Sequence, residues 1–217
     1  MAASSNINLS IREQKFDYLL IMDFEATCDN GFNQPYPQEI IEFPCVKMNA
    51  RTWQIESQFH QYVRPVVNPV LTSFCTELTG IVQDMVDGQP TLGQTLELFD
   101  DWLRKEGLLG GPIDQQQSSS GYAIGRKSIG DHSSMLRKQC DHFGYPRRDY
   151  FRRWINIKKI FFKETKRFPK GMMEMLDALN LKHEGKHHSG IDDVRNIAQI
   201  VRVLGMRGAF YDWTSQD

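Results

Sequence analysis

The sequence predicts an α/β fold, a mixed central sheet flanked by helices. Three observations carry that prediction. A short apolar run at residues 17–27 ends in polar and turn residues, as a buried strand does. Two further strand-like runs follow it, and helical periodicity dominates the second half of the chain.

The first run contains YLLIMDFEAT, which delivers Asp23 and Glu25 at its end. Side chains alternate along a strand, so a continuous strand would aim both at one face, with Cα atoms roughly 6–7 Å apart. Two like charges so placed repel unless a cation lies between them. Oxygen ligands of this kind select Mg²⁺ or Mn²⁺. Residues 39–48 (EIIEFPCVKM) and 54–65 (QIESQFHQYVRP) predict the second and third strands, joined by a turn at 49–53; Pro44 bends the first of them.

Residues 72–78 predict a short helix stopped by Gly80. Residues 91–106 carry Leu92, Leu96, Phe99 and Leu103 at helical spacing, with Thr91 as N-cap and Gly107 as stop. The stretch 108–120 (LLGGPIDQQQSSS) is poor in core-forming residues and predicts a mobile surface loop. Residues 121–127 suit a fourth strand, and 131–143 a helix with Met135, Leu136, Cys140 and Phe143 inward. Residues 154–162 fit a helix or a strand equally, and 172–179 and 191–207 are helical. One domain is expected over 17–212, preceded by a flexible segment at 1–16 and followed by a tail at 213–217.

In the last helix Ile191, Val194, Ala198, Val201 and Gly205 form one stripe. Asp193 falls at its border and Asp192 on the opposite side. Asp193 is therefore the inward acid, and a helix-dipole role is open to both. His188 lies five residues earlier, too far round a helix to share a site with Asp193. The Ser189-Gly190 turn lets it approach from a loop instead.

At 217 residues the chain supports one substantial core, and 40% hydrophobic with 24% charged residues is ordinary globular composition. No apolar run approaches a membrane span, and the polar start MAASSNINLSIREQK has no signal core. Four separated cysteines lack zinc-ligand spacing. The expectation is an intracellular protein, cytoplasmic or nuclear or both, with no membrane partner. Net charge is −1, but residues 126–170 carry +10 against −9 for residues 1–125. A basic block beside an acidic one suits a polyanion held next to a carboxylate cluster.

Taken together, DFEATC, PQEIIEFP, SFCTELTG, WINIKK and HSGIDDVRNIA resemble the enhanced-RNA-interference family of 3′–5′ exoribonucleases. These are DnaQ-like nucleases of ribonuclease H-like fold, defined by four acids and one histidine. The similarity runs over residues 18–211, and VDGQP and KEGLL point to the branch known for a prion-protein interaction. The resemblance implies metal ligation by Asp23, Glu25, Asp131 and Asp193, with His188 as the general base. It implies two Mg²⁺ ions, about 3.5–4 Å apart, with Mn²⁺ able to substitute. Phe74 is expected to pack under the terminal base, with Glu25, Ala26 and His188 also touching substrate.

Where relatives carry Trp-Asp, this sequence has Gly130-Asp131, in GRKSIGDH. Asp131 is also a natural helix N-cap. The missing ring would weaken grip on the base by roughly 1–3 kcal/mol, and Arg126 and Lys127 are candidates for compensating phosphate contacts. The implied activity is 3′–5′ hydrolysis of RNA with a free 3′ end to 5′-mononucleotides, with protein partners for targeting. The alternatives are an RNA-binding adaptor with weak or lost turnover and a DNA-directed exonuclease.

Overall fold

The computed structural model describes residues 13–31, 33–110, 122–126 and 132–216, without the side chains of 122–126 and 132–134. Among the described residues seven strands pair into a mixed sheet. Strand β1 (Tyr18–Met22) lies parallel to β5 (Tyr122–Arg126), which lies parallel to β6 (Arg153–Asn156). On its other side β1 runs antiparallel to the long β3 (Ile40–Asn49). That strand also pairs with the two-residue β2 (Glu25–Ala26) and with β4 (Ile55–Tyr62). A last short strand, β7 (Ser215–Gln216), closes against β6.

The expected single strand at 17–27 is thus two strands, interrupted at Asp23 and Phe24. Met22 faces Cys45 and Glu25 faces Glu42, so continuing the register sets Asp23 across from Pro44. Proline has no N–H to give the ladder, and pairing lapses where the chemistry-bearing acid sits. Asp23 and Glu25 therefore do not owe their placement to alternation along one strand.

Helices cover both faces. They are α1 (Ser73–Thr79), α2 (Gln83–Val86), α3 (Leu92–Lys105), α4 (His132–Phe143), α5 (Ile157–Thr165), α6 (Met172–Leu179) and α7 (Gly190–Met206). Strand periodicity divides β1 between two cores. Leu19 and Ile21 pack with Ile160, Met175, Ile197 and Val201 of α5, α6 and α7. Leu20 and Met22 pack with Leu96, Phe99 and Leu136 of α3 and α4. A strand apolar on both faces is what a two-sided burial demands.

The caps follow the chemistry of their residues. Thr72 accepts from the Cys75 N–H at 3.0 Å, and Gly80 ends α1 at φ 81°. The ambiguous stretch 154–162 is both things: β6 turns at Asn156, whose side chain caps α5. Three boundaries need correction. Leu108 is fully buried, so it belongs to the fold, and the rest of the expected loop from 111 to 120 lies outside the described residues. Gln14 bonds to the backbone of Ala209 and Tyr211, and Phe16 is buried against Trp213, so residues 14–16 belong to the fold. Residues 213–216 do too, through that ring contact and β7.

Candidate active site

The site begins where β1 stops. Asp23 follows its last residue and is buried, and Glu25 in β2 is half-exposed. Helix α7 brings the second half. Its first residue, Gly190, lies so close that a Cβ there would stand 2.9 Å from the Asp23 carbonyl oxygen. The same Cβ would be 2.9 Å from Glu42 Oε2 and 3.0 Å from Pro44 Cγ. Only glycine lets the helix start against the end of β1.

Glu42 fixes that start. This β3 carboxylate, 1% exposed, accepts from the backbone N–H of Gly190 at 2.8 Å and of Ile191 at 3.1 Å. His60 Nε2 lies 2.7 Å away. A negative group on free N–H groups at a helix N-terminus is favoured by both hydrogen bonding and the helix dipole. One turn later comes Asp193, 1% exposed. Its Oδ2 accepts from the His188 N–H at 3.3 Å, and its Oδ1 lies 3.2 Å from His187 Nδ1.

His188 arrives from the loop before α7, as its spacing requires, with φ 66°. A non-glycine residue in the left-handed region costs about 1–3 kcal/mol and persists where the surroundings hold it, as the Asp193 hydrogen bond does here. Glu25, His188 and Asp193 each offer a ligand atom, and these three atoms lie within 4.8 Å of one another. Asp23 is outside that trio but is tied to it through the Gly190 contact. The acids mark the site electrostatically: burial first, then the charges of Glu42 and Asp192, push the Tyr62 phenol up. A gathering of carboxylates with accessible oxygens suits a hard divalent cation.

Phe74 is half-buried in α1, next to Cys75. That helix is pinned to the chain following Glu25: Cys75 Sγ donates to the Ala26 carbonyl at 3.7 Å and Thr72 Oγ1 to the Cys28 carbonyl at 2.7 Å. The thiols meet as well. Their mutual hydrogen bond, with burial, pushes Cys28 up, and the same bond draws Cys75 down to about 7. Ala26 is buried in β2, where Thr27, the next residue, accepts the Glu39 N–H at 2.9 Å. Arg126 ends β5 with its backbone level with Met22, adjacent to Asp23. Its side chain, like Lys127, Gly130 and Asp131, lies outside the described residues.

Sequence reasoning overlooked Glu42 and Glu39. Glu39, fully buried, accepts from the N–H groups of Val66, Val67 and Asn68 and so anchors the approach to α1. Their signal was present: charged residues inside an apolar strand run are seldom buried unless partnered. His183 and His187 were overlooked too.

The model of the family described as Exonuclease (RNase T) matches residues 20–201. Human ERI1 exoribonuclease 3 is 49% identical over 215 residues, covering 99% of this chain and 61% of that protein. The chain thus spans about three fifths of that relative's length. The 3′-5′ exonuclease Snipper of Drosophila melanogaster is 35% identical over 207 residues, and the match covers 74% of its length. Among solved structures, the nuclease domain of 3′hExo, a DEDDh family member bound to rAMP, superposes with a TM-score of 0.86 at 34% identity. That match covers 95% of this chain and 100% of that domain. From the strand that delivers Asp23 to the helix that delivers Asp193, sequence and architecture agree, and the chain belongs to the exonuclease family, among its ERI-type members.

Proposed function

We propose that this protein removes nucleotides from the 3′ end of RNA by metal-dependent hydrolysis, releasing 5′-mononucleotides. The observation that carries the reading is the convergence of Glu25, His188 and Asp193 beside the end of β1, within the fold of a DEDDh nuclease. Relatives named as 3′-5′ exoribonucleases support the polarity and the substrate.

Asp23, Glu25 and Asp193 would hold Mg²⁺, with Asp131 completing the set; Mn²⁺ has the same oxygen preference. When bound, two such ions neutralise the phosphate and stabilise the charge that develops on it. His188 takes the proton of the attacking water on its imidazole. The bond broken joins phosphorus to the 3′-oxygen of the preceding nucleotide, which leaves with the bonding pair and takes up a proton from solvent to become the new 3′-hydroxyl. Phe74 offers a face for the terminal base, and Arg126 and Lys127 are placed in sequence to meet phosphates.

The test is digestion of 5′-labelled RNA in Mg²⁺, with and without EDTA. Stepwise shortening is expected, abolished by EDTA, by Asp23→Ala and by His188→Ala. Full activity in either variant overturns its assigned role. A DNA oligonucleotide of matched sequence, run alongside, reports whether the 2′-hydroxyl matters.

A further inference from the structure

Two histidines that the proposed chemistry does not use crowd the buried Asp193. His183 Nε2 lies 3.7 Å from Asp193 Oδ1 and His187 Nδ1 3.2 Å from the same oxygen. The three candidate ligand atoms lie within 4.8 Å of one another. Zinc bonds of about 2.0–2.1 Å in a tetrahedron put neighbouring ligand atoms about 3.3 Å apart, so both separations are close to those of a bound set. His183 Nε2 is buried yet has no hydrogen-bond partner. A buried polar atom left without a partner calls for an explanation, and an ion is one.

The donor set differs from that of the catalytic cluster. Two imidazoles and one carboxylate oxygen are a borderline-soft environment, which favours Zn²⁺ over Mg²⁺. The two clusters share one side chain, because Asp193 also belongs with Glu25 and His188. They touch a second time where the His187 ring stacks on His188, centroids 4.0 Å apart.

We propose that His183, His187 and Asp193 form a second cation site, selective for a nitrogen-preferring transition ion such as Zn²⁺, and that filling it inhibits the nuclease by engaging Asp193. The binding half stands on geometry alone; the inhibition half rests on the nuclease reading above.

Co²⁺ serves as the probe, because a tetrahedral site with nitrogen ligands gives intense visible absorption and an octahedral oxygen site does not. Metal-free protein is titrated with Co²⁺ and then with Zn²⁺. The band should appear, and Zn²⁺ should remove it. His183→Gln and His187→Gln, singly and together, should abolish it, while His188→Gln, which disables only the catalytic trio, should keep it. In RNA digestion at fixed Mg²⁺, the double variant should need at least about tenfold more Zn²⁺ for half-inhibition. Its far-ultraviolet circular dichroism should match that of the parent protein.

A missing band, or one that survives the double variant, overturns the site. A band behaving as described with equal zinc sensitivity in parent and variant overturns the inhibition alone. The same band in a protein without RNA hydrolysis sinks the nuclease reading and leaves the metal site standing.

Discussion

A carboxylate removed from water must find donors, and Glu42 finds two backbone N–H groups of α7 and a His60 nitrogen. Its work is positional: it holds the helix that carries Asp193. Glu42→Ala leaves those N–H groups buried without a partner, and should cost about 3 kcal/mol in urea unfolding. Hydrolysis should fall by more than the stability loss explains, because the helix start is freed. Unchanged activity in folded Glu42→Ala would refute the positioning role. At this scale the convergence of Glu25, His188 and Asp193 was legible. Asp23 and Glu25 stood at the end of an apolar run, and the His188–Asp193 spacing excluded a shared helix and required a loop. The partner of Glu42 was not legible, because a charge inside an apolar strand run signals that it needs donors but alternation cannot tell which distant helix terminus supplies them.

The decisive element is the junction of α7 with β1, and Gly190 makes it possible. Alanine is the better helix former by roughly 1 kcal/mol, so propensity alone predicts a more stable variant. The contacts at 2.9–3.0 Å predict the opposite effect on function, since something must yield between α7 and the end of β1. Gly190→Ala should retain a cooperative unfolding transition and lose on the order of 10²-fold in turnover, as misplacement by about an ångström does. Turnover equal to the parent's would show that the junction tolerates a methyl group. Elements with strong periodicity were readable: residues 172–179 are α6. The stretch 154–162 resisted assignment because it holds a strand and a helix, with Asn156 as the hinge. The lapse at Asp23 was unreadable for a different reason. It depends on which residue of another strand stands opposite.

Across the whole molecule, charge is dispersed more than the sequence blocks suggest. Arg147, Arg148, Arg152 and Arg167 of the basic block are ion-paired with Asp141, Asp100, Asp149 and Glu174. Lys158 and Lys159 donate to backbone carbonyls. Much of that block therefore joins elements of the fold. RNA binding through the eight other cations of the block would give a log–log salt slope no steeper than about −6 for a single strand, against about −10 for all fourteen. A slope near about −10 would show that the paired arginines let go of their acids to bind RNA.

A second link at this scale is Lys47 on β3 with Glu106 at the end of α3, 2.9 Å apart, with the Ser57 hydroxyl donating to the same carboxylate at 2.7 Å. Burial alone would raise Glu106, but the Lys47 and Ser57 hydrogen bonds and the Lys47 charge outweigh it and hold the carboxyl below its ordinary value. Burial would lower Lys47, and Glu106 more than offsets it, holding the amine above its ordinary value. A depressed carboxyl stabilises the fold above its ordinary range, and that share is lost as pH falls through the folded value. Glu106→Gln should cost about 2 kcal/mol near neutrality. The gap should narrow as the medium is acidified. A gap independent of pH would mean that the loss comes from packing.

Glu42 and Gly190 stand 148 positions apart in the chain, and their bond seats the helix that brings Asp193 to the strand end. A growing polypeptide therefore carries Asp23 and Glu25 long before the residues that complete the cluster, and no fragment ending ahead of α7 can set Asp193 beside them.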